Sequence, residues 1–442
     1  MNRQKRLMSV LFVAAFTLSL LSGCGAGTPA AGDASSAVSA SPSATESTTA
    51  AETATPAPAK EPVKIIYWHT YGDAEDPFFN ETVLADFKAS NPTIEVEAVR
   101  QEGGQFNQLI TTAFATGQTP DLARIDIVQT PAFANQDGLL ALDGMPDFAA
   151  LRDAVLEGPL STNLFKGHYY GLPLDTNCKA AVMNMDVMKK LGFDAPPATM
   201  EAFIEASRKE SKGKYTLNVS GVGDWDSYTY FWLFGGQLTD PQFTKATGFM
   251  DSQASIDALT EMVSLHADGV LTVRDIDGTP DAWDGIKTGE YAMFFEGPWY
   301  FAANADFKEK NILPSTIPTW KGKSASVVGG ENIVVFKASK QPEAAFECVK
   351  FLLSEKTQMA MATVGQMPVL KSAVNQDAIR NHPFYGVYQQ QLSSAFARIP
   401  SPQATRIVEI WSLEITKALT GEATPEAALK SAAAQIDAEL AK

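Results

Sequence analysis

The sequence predicts an α/β protein built as two lobes, and three observations support this fold class. Residues 61–442 are more than one hydrophobic core usually holds, so two lobes are expected. Within this stretch, segments with strand-like alternation of apolar residues are followed by segments with helix-like spacing. Strands that alternate with helices predict parallel sheets covered on both faces. Residues 25–60 have instead the composition of a linker, which separates the folded part from the N-terminus.

The first residues have the pattern of a secretory signal peptide. Three basic residues within 3–6 precede an apolar stretch at 7–20, which is shorter than the roughly 20 residues that span a bilayer core. Residues 21–24, Leu-Ser-Gly-Cys, have the form of a bacterial lipobox, in which the cysteine is acylated and becomes the first mature residue. We therefore predict a lipoprotein signal peptide at 1–23 and a lipid on Cys24, where several acyl chains give a stable anchor.

The segment after the lipobox consists almost entirely of Ala, Ser, Thr, Gly, Pro and Glu, and it contains no aromatic residue. Such a segment cannot bury enough apolar surface to offset its loss of conformational entropy. We therefore predict that residues 24–60 comprise the lipidated cysteine and a disordered linker. A tether of this kind holds a folded body near a membrane and lets it reorient.

Strands and helices alternate from residue 63 onward. Segments 63–68, 94–99 and 122–127 have the composition and alternation of strands. Helices are predicted at 81–89, before an Asn-Pro pair, and at 106–115, before a glycine. Ligands in such folds bind beyond the carboxyl ends of the strands, so the loops that follow the first and third strands are candidate site segments.

The second half of the chain continues in the same way. Thr199 is a predicted N-cap for the helix that follows it. Segments 291–295 and 333–336 are predicted as buried strands. Thr424 precedes a proline at the first helical position, which predicts the start of a C-terminal amphipathic helix.

Charge and cysteine content exclude several classes of function. The formal net charge is −16, which argues against nucleic-acid binding. After Cys24 only Cys178 and Cys348 remain, and we predict that both are buried thiols rather than a disulfide. The four histidines are scattered and have no cysteine at metal-ligand spacing, so no metal site and no cofactor are predicted. The sequence contains no nucleophile elbow or dinucleotide loop, and no catalytic residue is predicted.

Short motifs follow one another along the folded part of the chain. In order they are GQTPDL at 117–122, YGLPL at 170–174, KTGEYAM at 287–293 with GPW at 297–299, PTWKG at 318–322, GQMPV at 365–369 and RIP at 398–400. Each motif alone is weak, but their order and spacing are specific. Together they resemble the family 1 extracellular solute-binding proteins, of which maltose-binding protein is the best known. The resemblance covers essentially all of residues 62–442.

This resemblance implies the two-lobed periplasmic-binding-protein type II fold, with a ligand cleft between the lobes. The first lobe is expected to comprise 62–175 and 315–366, and the second 176–314 and 367–442. The chain is expected to cross between lobes near 176–179, 312–314 and 365–368. Hinged lobes of this kind close around a ligand.

The function implied by the resemblance is the capture of a carbohydrate, most readily an oligosaccharide, and its delivery to the permease subunits of an ABC importer. The lipobox predicts a protein anchored by lipid to the outer face of the cell membrane, as in many Gram-positive members, and we expect a monomer. Two alternatives stay open. One is a receptor for a polyol phosphate, a polyamine or a peptide. The other is a glycoside hydrolase, which needs two carboxylates placed across the scissile bond.

A sugar needs flat aromatic surfaces for its C–H faces and polar groups for its hydroxyls. Trp225 and Trp299 fall at positions where the family stacks ligand, and we predict that both are stacking platforms. The aromatic run at 230–232 is expected to be core because its spacing is helical. Candidate polar contacts are Tyr71, Asp126, Asn177, Asp226, Glu331, Arg398 and Arg406. Asn177 stands where the maltose relative has an acidic contact, and an amide both donates and accepts.

Overall fold

The computed structural model describes residues 62–210 and 216–442. The predicted signal peptide, the lipidation of Cys24 and the linker lie outside the described residues. Within the described ranges, no helix combines the length and apolar character that a membrane span requires.

Short strands and helices both occur along the whole described part of the chain. The strands are β1 (Val63–His69), β2 (Ile94–Arg100), β3 (Leu122–Asp126), β4 (Leu164–Phe165), β5 (His168–Tyr169), β6 (Leu172–Pro173), β7 (Asn177–Cys178), β8 (Ala180–Asn184), β9 (Leu217–Val219), β10 (Leu271–Val273), β11 (Met293–Glu296), β12 (Ile312–Ser315), β13 (Ser326–Gly329), β14 (Glu331–Val335) and β15 (Ala395–Phe396).

The helices are α1 (Glu75–Phe78), α2 (Leu84–Ser90), α3 (Gly103–Thr116), α4 (Thr130–Asn135), α5 (Phe148–Ala154), α6 (Glu157–Ser161), α7 (Met185–Lys190), α8 (Met200–Glu210), α9 (Asp224–Leu233), α10 (Gln253–Ala267), α11 (Arg274–Asp277), α12 (Ala282–Thr288), α13 (Trp299–Ala303), α14 (Pro342–Leu352), α15 (Glu355–Ala362), α16 (Asp377–Arg380), α17 (Tyr385–Leu392), α18 (Ala404–Leu419) and α19 (Pro425–Leu440). A π-helical segment, Phe79–Val83, joins α1 to α2.

The first sheet has the strand order β2-β1-β3-β14-β6. Strands β2, β1 and β3 are parallel, whereas β14 runs antiparallel to both β3 and β6. Burial alternates along β1: Ile65 and Tyr67 are fully buried, while Lys64 and Ile66 are exposed. One face of the strand therefore packs into the core and the other faces solvent. The inward side chains pack against α14, where Cys348 is also buried.

The second sheet has the order β10-β9-β11-β8-β12. Every residue of β8 is buried, as expected for an apolar strand inside a sheet covered on both faces. Its larger core gathers side chains from α9, α10, α18 and α19. The aromatic run 230–232 packs there, which confirms the prediction that it is core. Trp411 Nε1 donates to Ser227 Oγ at 2.8 Å and so ties α18 to α9.

A small third sheet, β15-β13-β7, lies where the chain passes between the two larger ones. Strand β7 connects β6 of the first sheet to β8 of the second, and β13 leads into β14. Gly330 is required at this second passage: it has a φ of 134°, and a Cβ there would lie 2.5 Å from the carbonyl oxygen of Asp175. The backbone bridge between Thr176 and Met367 joins the first passage to a third one.

The predicted crossing at 312–314 is wrong. These residues belong to β12, which pairs antiparallel with β8 as an edge strand of the second sheet. An edge strand tolerates Pro314 because only one side of the strand forms a ladder. The passage to the first sheet comes later, through β13 and Gly330.

Two segments also pack differently from the predicted division into lobes. Ile317 and Val327, expected in the first lobe, lie in the core of the second sheet. Val369 and Leu370, expected in the second lobe, lie in the core of the first sheet. Both differences follow from the later crossing and from the antiparallel bridge of Leu370 to Val155.

Several local predictions are confirmed. Helix α3 ends at Gly117, which has a φ of 68°. The hydroxyl oxygens of Thr199 and Thr424 accept from backbone N–H groups of Ala202 and Ala427, as N-caps do. Cys178 and Cys348 are both buried and free. The helix predicted at 81–89 differs, because that region is divided between the π-helical segment and α2.

Candidate ligand-binding cleft

A cleft of about 380 Å³ opens between the two sheets. The first sheet contributes Thr70 after β1 and Arg124 within β3, together with Glu331 at the start of β14. The second sheet contributes Trp299, which begins α13 just beyond β11, and Trp283 on α12. Thr70 and Trp299 therefore follow the carboxyl ends of strands, where a ligand site is expected in this kind of fold.

Arg124 is the charged centre of the cleft floor. Its side chain is 5% exposed, and its guanidinium pairs with Asp175 at 3.1 Å and with Glu331 at 2.7 Å. It also donates to Thr70 Oγ1 at 2.9 Å and to Gln366 Oε1 at 3.1 Å. These partners come from four separate stretches of chain, so Arg124 ties the first sheet to two of the passages between the sheets.

Burial perturbs the carboxyl groups around Arg124. It raises the pKa of Glu331 well above its usual range, because loss of solvation outweighs the attraction of Arg124 and the nearby Asp175 adds repulsion. Burial likewise raises the pKa of Asp175 and of Glu75. Glu75 is held by the N–H of Gly72 at 2.7 Å and by the side-chain amide of Gln366. The cleft thus holds carboxyl groups that retain protons more readily than exposed ones.

Trp299 and Trp225 lie together at the second-sheet side. Their ring centroids are 5.6 Å apart and the planes are inclined by 33°. The Trp299 ring lies over Gly297, where a Cβ would come within 2.3 Å of it. Because 5.6 Å leaves no room for a sugar ring between the two indoles, Trp299 offers its surface to the cleft while Trp225 lies behind it.

Two cationic side chains lie close to the ring of Trp225. Lys179 Nζ lies 5.1 Å from the centre of its ring, and Arg398 Cζ lies 5.7 Å from it. Lys179, which is 1% exposed, also pairs with Asp226 at 3.1 Å. Two charged residues therefore fix the orientation of Trp225, and Asp226 acts on the ring through Lys179.

Arg398 joins the two sheets by ion pairs. Its side chain is 5% exposed, donates to both carboxylate oxygens of Asp126 at 2.8 Å, and reaches Asp224 at 3.2 Å. Asp126 ends β3 in the first sheet, whereas Asp224 begins α9 beside the second sheet. Asp126 is also the strand partner of Glu331, so this bridge borders the Arg124 cluster.

Asn177 lies deep beside Trp225. It is paired with Gly329 across β7 and β13, and a Cβ on that glycine would lie within 2.5 Å of both Asn177 Oδ1 and the Trp225 ring. The amide oxygen is buried and accepts no hydrogen bond from the residues that the structure describes. A buried acceptor of this kind is available to a ligand hydroxyl or to water.

Seven of the nine predicted site residues lie in or next to the cleft. Trp299 and Glu331 line it directly. The other five form a layer around and behind these two, namely Asp126, Asn177, Trp225, Asp226 and Arg398.

The remaining two predicted contacts lie elsewhere. Tyr71 is 2% exposed and packs between Phe79 and Arg124 in the core of the first sheet. Arg406 projects from the exposed face of α18 and pairs with Glu409 one turn away. Tyr71 is enclosed by these two neighbours, and Arg406 lies on the face of α18 opposite its apolar stripe.

Most residues that line the cleft were not predicted from the sequence, and the polar and aromatic ones among them include Glu75, Arg124, Trp283 and Gln366. The sequence contains a feature that could have located Trp283, because Asp281 is an N-cap residue for the helix that carries this indole. Its indole N–H donates to Glu296 Oε2 at 3.0 Å, which fixes the ring at the rim. Arg124 was harder to recognise from the sequence, because its only distinguishing feature is that it is the one basic residue within an apolar strand.

Comparison with known proteins gives the same family as the motifs. Residues 82–385 match the family described as bacterial extracellular solute-binding protein. A maltotriose-binding protein from Pyrococcus abyssi is 24% identical over 359 residues, which cover 77% of this chain and 74% of the relative. The match is spread along the folded part rather than limited to one motif.

Solved structures share the fold. The GacH receptor of Streptomyces glaucescens superposes with a TM-score of 0.79 at 20% identity, covering 86% of this chain and 99% of the receptor. Maltose-bound MalE3 of T. maritima gives a TM-score of 0.75 at 24% identity, covering 85% of this chain and 99% of that one. These matches confirm the predicted two-lobed α/β fold.

The similar proteins are binding proteins rather than enzymes, which confirms the prediction of a receptor over that of a hydrolase. The match to the family extends over more than half of the chain. The protein therefore belongs to the bacterial extracellular solute-binding proteins, the family that its motifs resemble.

Proposed function

We propose that this protein is a lipid-anchored receptor on the outer face of the cell membrane, which captures an oligosaccharide and delivers it to an ABC importer. The observation that carries the proposal is the composition of the cleft: the indoles of Trp283 and Trp299 line the same space as Glu75, Arg124 and Glu331. We further propose that it acts as a monomer towards the permease subunits.

The chemistry of this cleft fits a sugar. Indole faces pack against the C–H faces of a pyranose or furanose ring, and carboxylates accept hydrogen bonds from its hydroxyls. Glu331 is held by Arg124 at 2.7 Å, so its position is set before ligand arrives. A polar group that is already in place loses little conformational entropy on binding, which favours affinity.

The relatives support a carbohydrate of more than one unit. One is named as a maltotriose-binding protein and another, from Bacillus subtilis, as an arabinooligosaccharide-binding protein. Both names concern those proteins, and they suggest the first ligands to test with this one.

The pairing of the cleft cations favours a neutral ligand over a polyol phosphate. Arg100 is paired with Asp73 at 2.7 Å, and Arg124 is paired with Asp175 and Glu331. A phosphate group would have to displace one of these carboxylates before it could form charge-assisted bonds.

A thermal-shift screen of the mature protein tests the proposal. We expect maltodextrins or arabino-oligosaccharides to raise the unfolding temperature in a concentration-dependent manner, because ligand binds the native state. Chromatography of the same mixtures should show intact sugar after long incubation. A rise with a polyamine or a polyol phosphate but with no neutral sugar would contradict the proposed ligand class, and released products would restore the hydrolase alternative.

Lipid anchoring has its own test at Cys24. Replacing Cys24 with serine removes the thiol that the lipobox presents for acylation. We expect the variant to appear in the soluble fraction, whereas the wild-type protein sediments with membranes after a high-salt wash. A Cys178→Ser variant is the control, since that thiol is buried and free. If the Cys24 variant still sediments with membranes, the proposal that a lipid on Cys24 anchors the protein is wrong.

A further inference from the structure

The ion pairs of Arg398 cross from one lobe to the other beside the cleft. Arg398 lies between β15 and α18, and the apolar face of α18 packs in the core of the second sheet. Its guanidinium donates to both carboxylate oxygens of Asp126, which ends β3 of the first sheet, at 2.8 Å. A bidentate pair of this kind fixes the relative orientation of its partners as well as their distance. The two lobes are therefore joined here by side chains as well as by the passages of the chain.

The loop after β3 makes further contacts next to this ion pair. The N–H of Ile127 donates to the carbonyl oxygen of Gly330 at 3.2 Å, at the second passage. Ile127 and Val128 form a small apolar cluster with Ala404, the first residue of α18. The loop thus contacts both the passage and the second lobe, so a change in the angle between the lobes would strain the bidentate pair.

The same ion pair connects the two walls of the cleft. On the second-sheet side, Arg398 Cζ lies 5.7 Å from the centre of the Trp225 ring, and that ring lies 5.6 Å from Trp299, which lines the cleft. On the first-sheet side, Asp126 is the ladder partner of Glu331, which lines the cleft too. The distance between the Trp299 wall and the Glu331 wall is therefore set in part by Arg398.

The two carboxylates that pair with Arg398 belong to different lobes. Asp126 belongs to the first sheet, whereas Asp224 begins α9 beside the second sheet, so the Asp126 pair crosses between the lobes and the Asp224 pair stays within one. Arg398 is 5% exposed, and loss of either carboxylate leaves a buried cation with one partner fewer. Neutralising each carboxylate in turn therefore separates an effect on lobe arrangement from a general loss of stability.

We infer that Arg398 is a positioning residue for ligand capture. Through Asp126 it holds the lobes of the free protein close together, so that Trp299 already lies across from Glu331 when a ligand arrives. The inference goes beyond the proposed function, because it concerns the resting arrangement of the lobes and applies to any solute that contacts both walls. The apparent affinity for such a solute depends on the fraction of molecules in which the lobes are close.

Small-angle scattering of Asp126→Asn and Asp224→Asn variants tests this inference. Asparagine keeps the size of each side chain, and at position 126 its amide oxygen can still accept from the N–H of Val128, which lies 2.9 Å from Asp126 Oδ1. We expect the free Asp126→Asn variant to have a larger radius of gyration than the wild type, because the pair between the lobes is weakened. Free Asp224→Asn should keep the wild-type radius. Thermal unfolding checks that both variants are folded.

An unchanged radius for free Asp126→Asn, or the same increase in both variants, would overturn the inference. Affinity is a second readout. For a sugar that stabilises the wild type, we expect Asp126→Asn to bind at least about fivefold more weakly and to regain the liganded wild-type radius at saturation. Weaker binding without a larger free radius would also contradict the inference, since Asp126 would then act on the ligand itself. If no sugar binds the wild type, the proposed function fails, while the scattering of the free variants still decides the role of Arg398.

Discussion

Replacing Trp299 with alanine is expected to weaken carbohydrate binding by at least about tenfold, or roughly 1.4 kcal/mol, while the unliganded protein unfolds at nearly the same temperature. The ring lines the cleft and packs on Gly297. It does not belong to the apolar cores that the described residues form. Its removal takes away a ligand surface without opening a core cavity. Titration calorimetry and thermal unfolding of the apo protein measure the two effects.

Trp320→Ala is the matched control for this substitution. Trp320 is also a half-buried indole on the second-sheet side, and it packs edge-on against Phe234 with a centroid distance of 5.1 Å. We expect unchanged affinity in that variant. An unchanged dissociation constant for Trp299→Ala would show that the ring is not a stacking surface, and a stability loss of about 3–5 kcal/mol would show that it is a core residue.

Trp225→Ala should differ from Trp299→Ala in one respect. We expect it to weaken binding as well, because Trp299 rests against it at 5.6 Å. Trp225 also packs against the second core and has Lys179 and Arg398 close to its ring, so its loss should lower apo stability too. The prediction of two equivalent platforms therefore becomes one of a platform and its support.

The second large effect is expected at Arg124. Arg124→Met should destabilise the protein by about 3–5 kcal/mol at pH 8, because it leaves buried carboxylates without their cation. Asp175 is 2% exposed and Glu331 is 21% exposed, so water compensates little for the loss. Urea unfolding of the variant and the wild type measures the difference in the free energy of unfolding.

The effect of Arg124→Met should depend on pH. Burial already raises the pKa values of Asp175, Glu331 and Glu75, and removing Arg124 removes the charge that opposes that rise. A carboxyl whose pKa is higher in the folded state favours folding while protonated, and this contribution is lost as the pH rises through the folded pKa. The deficit should therefore be smaller at pH 5 than at pH 8.

Arg100→Met provides the comparison. Its side chain is 40% exposed and pairs with Asp73, which is 93% exposed, so this ion pair should contribute at most about 1 kcal/mol. If Arg124→Met is no more destabilising than Arg100→Met, or if its deficit does not change between pH 5 and pH 8, the buried cluster does not stabilise the fold as proposed.

The features that could be predicted from the sequence are those that depend on residues close together in the chain, such as strands and helix ends. Apolar alternation located β1 and β2, and Gly117 ended α3 as expected, whereas Trp299 was placed by the family resemblance. Arg124 could not be recognised in this way. Its partners Asp175, Glu331 and Gln366 reach it through pairing between distant segments, which leaves no periodic signal in the chain.

The same limit explains the misplaced crossing and the two misplaced contacts. The crossing near 312–314 was expected from the family resemblance, yet these residues belong to an edge strand. Tyr71 and Arg406 were chosen from their place along the chain, while their burial depends on how the loop after β1 and the helix α18 turn. The direction of a single side chain is a property of tertiary packing, and short motifs do not encode it.

The pairing of β3 with β14 affects the order in which this chain can fold. Asp126 lies opposite Glu331 in that ladder, so the first sheet is complete only after most of the chain has been synthesised. Until then β3 has an unpaired edge, and closing such a long loop makes the step slow. Slow closure keeps the first sheet incomplete for longer, and during that time the open edge of β3 is exposed to aggregation.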